Sequence, residues 1–217
     1  MTSRIHRSRR TVLAGVASLA ATALLARTGH AAAPALAPTP RDAEGPFYPA
    51  RLPAEADHDL ARMQGRAQGA KGTLLYLEGR VLGTDGRPLA GTKLELWQCD
   101  ATGHYHHVGV DAAALDAGFQ GYGVAIADAQ GRFAFRTIRP VRYGGRPPHL
   151  HFKLAHPDAA PLTTQLYPRG ESAERGLGFG LSDRSTRERL EFVLAPAAGR
   201  EPGALAASYD FVLRGRA

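Results

Sequence analysis

The sequence predicts a mostly β protein with an antiparallel β-sandwich core, long loops and little helix. After residue 73, short segments recur in which apolar and polar residues alternate, which is the period of a half-buried strand. Glycine and proline separate these segments, with 25 glycines and 15 prolines in the 217 residues. Many short strands between such turns are typical of a β-sandwich or barrel.

The first segment of the chain, residues 1–33, has the composition of an export signal. It contains five arginines and no acidic residue, and an apolar run extends over residues 12–26. That run of roughly 15 residues is shorter than the ~20 that a membrane-spanning helix needs. Three alanines at 31–33 supply a cleavage site. Ser8-Arg9-Arg10-Thr11 is similar to a twin-arginine signal, which predicts export to the periplasm or the outside. An ordinary secretory signal and an uncleaved anchor are the alternatives.

Removal of this leader changes the charge balance. The whole chain has 27 Lys+Arg against 20 Asp+Glu, so loss of the five leader arginines leaves 22 against 20. Such a small excess argues against nucleic-acid binding, which needs a basic surface. The single cysteine, Cys99, excludes an intramolecular disulfide and offers no lipid-anchor site near the cleavage position, so no stable membrane anchor is expected. Homo-oligomer formation is left open.

The remaining ~180 residues suffice for one domain with its own core. Residues 34–43 are rich in proline and alanine and lack periodicity, which predicts an extended linker. The domain itself is predicted to comprise residues 44–217. Its first segment, residues 44–49, contains Pro46 and Pro49 and is predicted to form a rigid turn.

Two pairs of strands are each predicted to be connected by a turn. Residues 74–82 precede a turn at Asp85-Gly86, and residues 92–97 alternate after it. Residues 123–127 and 132–136 flank a second, glycine-containing turn in the same way. The pattern therefore predicts two similar units of two strands each.

The other elements are predicted from shorter signals. Further strands are expected at residues 151–154, 163–166, 190–194 and 209–213, and weak helix signals occur at 54–63 and 185–190. Trp97 is predicted to be a buried core aromatic. Cys99 is predicted to be a small buried hydrophobe and not a nucleophile, because no basic partner lies near it.

Two tyrosines and two histidines carry the chemistry that the sequence suggests. His149 and His151 lie two residues apart, so on a strand both imidazoles face one side while Leu150 and its neighbours face the core. A phenol ionises near pH 10, so tyrosines are useful ligands only for a hard, highly charged cation that keeps them as phenolates. Tyr105 and Tyr143, each in a loop with glycine, therefore predict an Fe(III) site together with the histidines.

Other interpretations of these residues stay open at this point. A tyrosine in a turn is more often a packed residue with a satisfied hydroxyl. A His-x-His pair also occurs in copper and zinc sites, which would need a carboxylate or a further histidine in place of the phenolates. His104 and His106 alternate with Tyr105 and are expected to face away from it, so they and His107 are predicted to be solvent-facing or rim residues.

These residues lie in motifs that resemble the intradiol ring-cleavage dioxygenases, a family that includes protocatechuate 3,4-dioxygenase and catechol 1,2-dioxygenase. The resemblance extends over residues 44–167, with a plausible last strand at 209–213, and several ordered motifs are more specific than a lone His-x-His. The short interval between Tyr143 and His149 is similar to the secreted branch of the family. The motifs are Trp97-Gln98-Cys99-Asp100-Ala101-Thr102-Gly103-His104-Tyr105, Thr137-Ile138-Arg139-Pro140, Tyr143-Gly144-Gly145-Arg146-Pro147-Pro148-His149-Leu150-His151 and Thr164-Gln165-Leu166-Tyr167.

The resemblance implies a cofactor and a reaction. It implies a non-haem Fe(III) ion held by Tyr105, Tyr143, His149 and His151. It implies an enzyme that inserts both atoms of O2 into a catechol-type substrate to give a cis,cis-muconate-type product. Because the chain lacks an insert that carries ring-orienting residues in other members, an open mouth that accepts catechol, substituted catechols or hydroxyquinol is expected.

The resemblance also implies roles for individual residues. Tyr143 would leave the metal when substrate chelates it and would accept a substrate proton. Arg146 would stabilise negative charge that builds on the ring, and Gln165 would lie near substrate and metal. The Glu44–Gly45–Pro46 segment lies near the active site in some members. The alternative to an enzyme is a non-catalytic β-sandwich ligand-binding module, which residues 75–97 also resemble.

Overall fold

Two β-sheets make up most of the computed structural model, which describes residues 34–107, 109–171 and 184–216. The predicted signal at residues 1–33 lies outside the described residues. The mostly β prediction is confirmed, and the described part contains little helix. Its elements are β1 (Leu74–Gly83), β2 (Lys93–Trp97), a 3-10 turn (Ala112–Ala114), β3 (Tyr122–Ile126), β4 (Arg132–Ile138), β5 (Leu150–His156), β6 (Ala159–Pro168), α1 (Arg184–Glu188), β7 (Glu191–Phe192), β8 (Ala195–Pro196), β9 (Leu205–Ser208) and β10 (Phe211–Leu213).

The first sheet is built around β1. β4 pairs with it antiparallel, while β9 and β10 pair with it parallel, and β8 extends the sheet beyond β9. The backbone at Tyr209, just before β10, passes close to Gly79 of β1. A Cβ added at Gly79 would lie 1.9 Å from the carbonyl oxygen of Tyr209. A side chain at this position would therefore push the last strands off the sheet.

The second sheet has the order β3-β2-β5-β6-β7 and carries the candidate site. The first three pairings are antiparallel, and the last, between β6 and β7, is parallel. The register places Trp97 of β2 opposite His151 of β5, and His151 opposite Gln165 of β6. Three side chains of interest therefore lie side by side across three neighbouring strands.

The core lies between the two sheets and is filled by aromatic and branched side chains. Phe152 of β5 reaches across to Phe135 of β4 and Phe211 of β10, with ring centroids 6.1 and 5.0 Å apart. Leu150 and Leu154, on the same face of β5 as Phe152, are also buried in this core. Burial of each such side chain contributes roughly 1.5–3 kcal/mol to the stability of the fold. This face of β5 is therefore held in the core, and the histidines lie on the opposite face.

The two predicted strand pairs are present as strands, but they do not form hairpins. β1 and β2 lie in different sheets, and so do β3 and β4. The chain does turn back at Asp85-Gly86, since Leu82 bridges Pro88, but after Thr92 it crosses to the opposite sheet. Period-two alternation defines which face of a strand is buried and gives no information on the neighbouring strand, so the prediction of paired units was wrong.

One of the two weak helix signals was also wrong. Residues 184–188 form α1, close to the predicted 185–190, whereas residues 54–63 contain no helix. The carboxylate of Asp57 accepts a hydrogen bond from the Asp59 amide, and that of Asp59 accepts one from the Ala61 amide. Short polar side chains that bond neighbouring backbone groups in this way compete with helix formation.

The segment before the domain is extended and runs along its surface. The amide groups of Leu36, Thr39 and Asp42 donate to carbonyl oxygens of Thr84, Val212 and Thr163. Residues 34–43, predicted as a linker, are thus fastened to both sheets where they are described. No helix among the described residues has the length and apolar character needed to cross a membrane.

Candidate metal centre

Strand β5 positions the two histidines. His149 lies just before the strand and His151 within it, and each side chain is only 1% exposed. Leu150 and Phe152 occupy the opposite face in the core, as the alternation predicted. The fold therefore buries two imidazoles on the outer face of the second sheet, under the loops that follow β2 and β4.

The loop that carries Tyr105 is held by a buried carboxylate. One oxygen of Asp100 accepts hydrogen bonds from the amides of Thr102 and His104 and from the Thr102 hydroxyl, at 2.7 to 3.1 Å. The other oxygen accepts from the amide of Asp116, 3.0 Å away. The Asp100 side chain is fully buried, and its charge-assisted bonds to the loop fix the turn that directs Tyr105 inward.

Replacement of Asp100 by alanine is expected to lower the free energy of unfolding by about 2–4 kcal/mol, because one buried and three partly buried donors would lose their acceptor. Denaturant unfolding measures the change. Asp128→Ala is the matched control, since the exposed Asp128 side chain accepts from the amides of Gln130 and Arg132 in a surface turn. The control is expected to lose about 1 kcal/mol or less. Equal losses for the two variants would contradict the assigned role of Asp100.

Tyr143 lies in a tight turn between β4 and β5. The amide of Arg146 donates to the carbonyl oxygen of Tyr143 at 2.7 Å, and the intervening Gly144 and Gly145 both have positive φ. Tyr143 is partly exposed, whereas Tyr105 is 4% exposed. The turn therefore places the second phenol at the mouth of the site.

The polar atoms of the predicted ligands converge. The Tyr105 Oη lies 3.1 Å from His151 Nε2 and 3.4 Å from His149 Nε2, and the two Nε2 atoms are 3.1 Å apart. The Tyr105 and Tyr143 rings are 5.0 Å apart, with their hydroxyls hydrogen-bonded. Ligands about 2.1 Å from one ion and at right angles to each other are separated by about 3.0 Å. The spacing of Tyr105, His149 and His151 thus fits three ligands of one metal ion, with the Tyr143 hydroxyl next to that of Tyr105.

The electrostatics of this group favour a cation. The Nδ1–H of His149 donates to the Pro147 carbonyl oxygen at 2.7 Å, which leaves its Nε2 with a free lone pair. Burial lowers the pKa of His149 to about 4 and that of His151 well below its usual value. Burial also raises the pKa of Tyr105 and of Tyr143. Neutral imidazoles and phenols therefore face one another, and a highly charged ion bound among them would convert the phenols to phenolates.

The segment 44–49 covers this group. The Phe47 ring stacks on Tyr105, with centroids 4.5 Å apart and planes at 12°, and meets the edge of Tyr143 at 5.7 Å. At Gly45, whose φ is +73°, an added Cβ would lie 3.2 Å from Cε1 of His151. The segment predicted as a rigid turn is therefore a wall of the site. No feature of the sequence singled out Phe47 beyond the family resemblance of the neighbouring residues.

Arg146 and Gln165 lie beside the four predicted ligands. The guanidinium of Arg146 donates to Oε1 of Gln165 at 2.9 Å. Gln165 is fully buried and donates from Nε2 to the carbonyl oxygen of Ala43. Gln165 pairs with His151 across β5 and β6 and holds Arg146 beside it, while the catalytic roles of both residues stay predictions. Tyr167 and Asp42 join them through hydrogen bonds and were missed, although Tyr167 lies two residues after Gln165 and so on the same face of β6.

Trp97 and Cys99 are both buried, as predicted. The indole of Trp97 stacks on the His151 imidazole, with centroids 4.9 Å apart and planes at 13°. Burial raises the pKa of the Cys99 thiol to about 11, which makes it a poor nucleophile. Trp97 therefore fixes the ring plane of a predicted ligand and packs in a smaller cluster with Tyr105 and Tyr122, apart from the core between the sheets.

The three histidines next to Tyr105 in the sequence differ in exposure and in contacts. His104 is exposed and its Nδ1 lies 2.9 Å from the Thr102 hydroxyl. His106 was predicted at the solvent or rim, but it is half-buried and packs edge-on against Phe119, and burial lowers its pKa. Its ring lies against Gly121, where an added Cβ would come within 3.0 Å of it. His107 lies edge-on to Phe47.

In the described ranges, 34–107, 109–171 and 184–216, no group of three or more His, Cys, Asp or Glu side chains could hold a metal ion. A copper or zinc site on His149 and His151 would need such a third ligand. Within this part of the chain, the donors that complete the histidine pair are phenols.

Comparisons with known proteins agree with this geometry. The sequence profile of a family described as "Dioxygenase" matches residues 43–215. The protocatechuate 3,4-dioxygenase beta chain of Burkholderia cepacia is 34% identical over 186 residues, covering 81% of this chain and 79% of that protein. The 6-chlorohydroxyquinol 1,2-dioxygenase of Cupriavidus pinatubonensis (strain JMP 134 / LMG 1197) is 40% identical over 184 residues, covering 70% of this chain and 63% of that protein.

Solved structures of dioxygenases have a similar fold. The dioxygenase domain of a dioxygenase and carbohydrate-binding protein fusion from Streptomyces sp. SirexAA-E has a TM-score of 0.62 at 31% identity, covering 82% of this chain and 99% of that one. Catechol 1,2-dioxygenase from Pseudomonas arvilla C-1 has a TM-score of 0.62 at 29% identity, covering 82% of this chain and 62% of that one.

The fold and the convergent donors define a β-sandwich protein with a candidate metal centre on the outer face of one sheet. The match over residues 43–215 identifies its family. The chain belongs to the intradiol ring-cleavage dioxygenases, a family of oxidoreductases.

Proposed function

We propose that this protein is an Fe(III)-dependent dioxygenase that cleaves a catechol-type ring between its two hydroxyl-bearing carbons and gives a cis,cis-muconate-type product. The observation that carries the proposal is the convergence of Tyr105, His149 and His151 within 3.4 Å of one another, with Tyr143 beside them. Family membership supports the reaction class, and the donor set supports the metal.

The donor set suits ferric iron in particular. Phenolate oxygen is a hard anionic ligand, and imidazole is a common ligand of iron. Two phenolates would offset two of the three positive charges, so that the buried site carries little net charge. A ferric ion bound there would supply the Lewis acidity that takes up a catechol as its dianion and makes the ring reactive toward O2.

Tyr143 is the residue that we assign to proton transfer. It is partly exposed and lies in a turn with two glycines, whereas Tyr105 is buried and stacked under Phe47. Of the two phenols, Tyr143 can therefore move aside when a substrate enters. Released from the metal as a phenolate, its Oη would be basic enough to accept a proton from a substrate hydroxyl, because a phenol ordinarily ionises near pH 10.

Arg146 is the residue that we assign to charge stabilisation. Its Nε is buried and has no hydrogen-bond partner among the described residues, while one terminal nitrogen is held by Gln165. A guanidinium stays protonated at any physiological pH and presents several donors in one plane. It would stabilise negative charge that develops on the ring during attack by O2.

Substrate range and location follow as further parts of the proposal. The short interval from Tyr143 to His149 leaves the mouth without a long rim, so we propose a tolerant enzyme for catechol, substituted catechols and hydroxyquinol. The twin-arginine-like segment supports export, and that route suits a protein that receives its metal before leaving the cytoplasm.

Oxygen uptake by the iron-loaded protein with a panel of catechols tests the proposal. We expect uptake of one O2 for each ring cleaved, a product with the ultraviolet spectrum of a cis,cis-muconate, and both atoms of ¹⁸O2 in that product. A product that contains one labelled atom or none would contradict the reaction. Turnover of protocatechuate alone would contradict the substrate range while leaving the reaction class intact.

A further inference from the structure

Behind Arg146 lies a chain of buried polar groups that extends away from the predicted ligands. It consists of Gln165 and Tyr167 on β6 and Asp42 in the segment before the domain. Tyr167 is 2% exposed and Asp42 9% exposed. A buried polar group whose hydrogen bonds are satisfied restricts the orientation of the groups that it contacts.

The orientation of Gln165 is fixed by its partners. Its Nε2 donates to the Ala43 carbonyl oxygen, at 2.6 Å, and its Oε1 accepts from Arg146. A carbonyl can only accept and a guanidinium can only donate, so the amide cannot be reversed without loss of both bonds. Gln165 thus presents an acceptor to Arg146.

Tyr167 connects Arg146 to a negative charge. Its hydroxyl lies 2.8 Å from Oδ2 of Asp42 and 2.9 Å from Oε1 of Gln165. The single phenolic proton is expected to go to the carboxylate, because a charged acceptor forms the stronger bond. The Tyr167 oxygen in turn accepts from Arg146. A continuous series of hydrogen bonds therefore runs from the guanidinium through a phenol to a buried carboxylate.

Asp42 is itself held in place by its surroundings. Its other oxygen accepts from the amide of Ala43 at 2.7 Å, and the backbone amide of Asp42 donates to Thr163 on β6. The carboxylate therefore cannot turn away from Tyr167 without breaking a short backbone bond. The hydrogen bonds to Asp42 and Gln165 together keep the Tyr167 hydroxyl next to Arg146.

We infer that Asp42 and Tyr167 are positioning residues for Arg146: they direct its guanidinium toward the place of the substrate ring and supply its buried counter-charge. The inference rests on the proposed function, since it assigns the pair a part in that reaction. It predicts that the two residues matter for turnover only through Arg146.

A double-mutant cycle tests this dependence. Tyr167→Phe removes one oxygen and is expected to lower kcat/KM about tenfold, mainly through kcat, with iron content and the visible absorption band unchanged. In an Arg146→Met background the same change is expected to alter kcat/KM by less than about twofold. Tyr209→Phe is the matched control, because its hydroxyl donates to the Arg189 carbonyl oxygen away from the site. It is expected to change kcat/KM by less than about twofold.

Two kinetic outcomes would overturn the inference. If Tyr167→Phe lowers kcat/KM by the same factor in both backgrounds, the phenol acts independently of Arg146. If Tyr167→Phe loses iron, it acts on the metal site through His149, whose ring centroid is 5.9 Å from its own. Should Tyr167→Phe fail to fold, Asp42→Asn carries the same cycle. That variant keeps the side-chain size, removes the charge and is expected to lower kcat/KM about threefold or more.

A crystal structure of the Tyr167→Phe variant separates failure of this inference from failure of the proposed function. The inference predicts that the guanidinium of Arg146 leaves its place beside Gln165 or becomes disordered. An unchanged, ordered guanidinium would overturn the positioning role, even if the wild-type protein cleaves catechols. Displacement of the guanidinium in a protein that cleaves no catechol would support the positioning role and refute the reaction.

Discussion

Replacement of His151 by alanine is expected to lower iron affinity by more than about 100-fold and to abolish ring cleavage, because loss of even an outer partner of a metal ligand costs about 10–100-fold. His151 Nε2 lies within 3.1 Å of both Tyr105 Oη and His149 Nε2, so its removal opens one side of the predicted coordination sphere. Iron content after dialysis and oxygen uptake with catechol measure the two effects.

His156→Ala is the matched control for this prediction. His156 lies on the same strand, and its Nε2 is 3.1 Å from the Ala90 carbonyl oxygen, away from the site. The control is expected to keep its iron and its activity. Since His151 is stacked on Trp97, its loss is also expected to destabilise the fold, which thermal unfolding of the metal-free proteins separates from metal binding. Full iron content in His151→Ala would show that His151 is not a ligand.

Replacement of Arg146 by methionine is expected to lower kcat by about 100-fold or more, which is the typical effect of removing one donor aimed at developing charge. The methionine keeps a long side chain but removes the positive charge and every donor. Iron content is expected to stay near the wild-type level, because Arg146 contacts Gln165 and Tyr167 and is not among the converging donors. Steady-state kinetics and metal analysis on the same preparation give both quantities.

Arg142→Met is the control for Arg146, since Arg142 is an exposed arginine in the same loop. It is expected to change kcat by less than about twofold. A loss of iron in Arg146→Met would mean that the residue supports the metal site and not the charge on the ring. Equal kinetic losses in the two variants would indicate a general effect of positive charge near the mouth.

The sequence allowed prediction of the faces of strands better than prediction of their neighbours. The alternation in residues 149–154 correctly separated His149 and His151 from Leu150 and Phe152. The same alternation could not show that β1 and β2 lie in opposite sheets, because that is decided by the long-range pairing of β1 with β4, β9 and β10. Local pattern and turn chemistry contain no information on such contacts.

In the candidate site, too, some residues could be predicted from the sequence and others only from the fold. Tyr105 and His151 were singled out because two tyrosines in glycine-containing loops accompany a His-x-His pair on a predicted strand. Phe47 and Asp42 were not assigned, because they lie more than fifty residues before Tyr105 and reach the site only once the first segment is bound along the sheets. Their residue types are ordinary, so only the fold reveals what they touch.

Anomalous diffraction from a crystal of the iron-loaded protein, collected on both sides of the iron absorption edge, tests the central claim most directly. The account predicts one iron peak about 2.0–2.2 Å from Tyr105 Oη, His149 Nε2 and His151 Nε2, with Tyr143 Oη as the fourth protein ligand. A peak bound elsewhere, or iron held by the histidines with both phenols turned away, would contradict it.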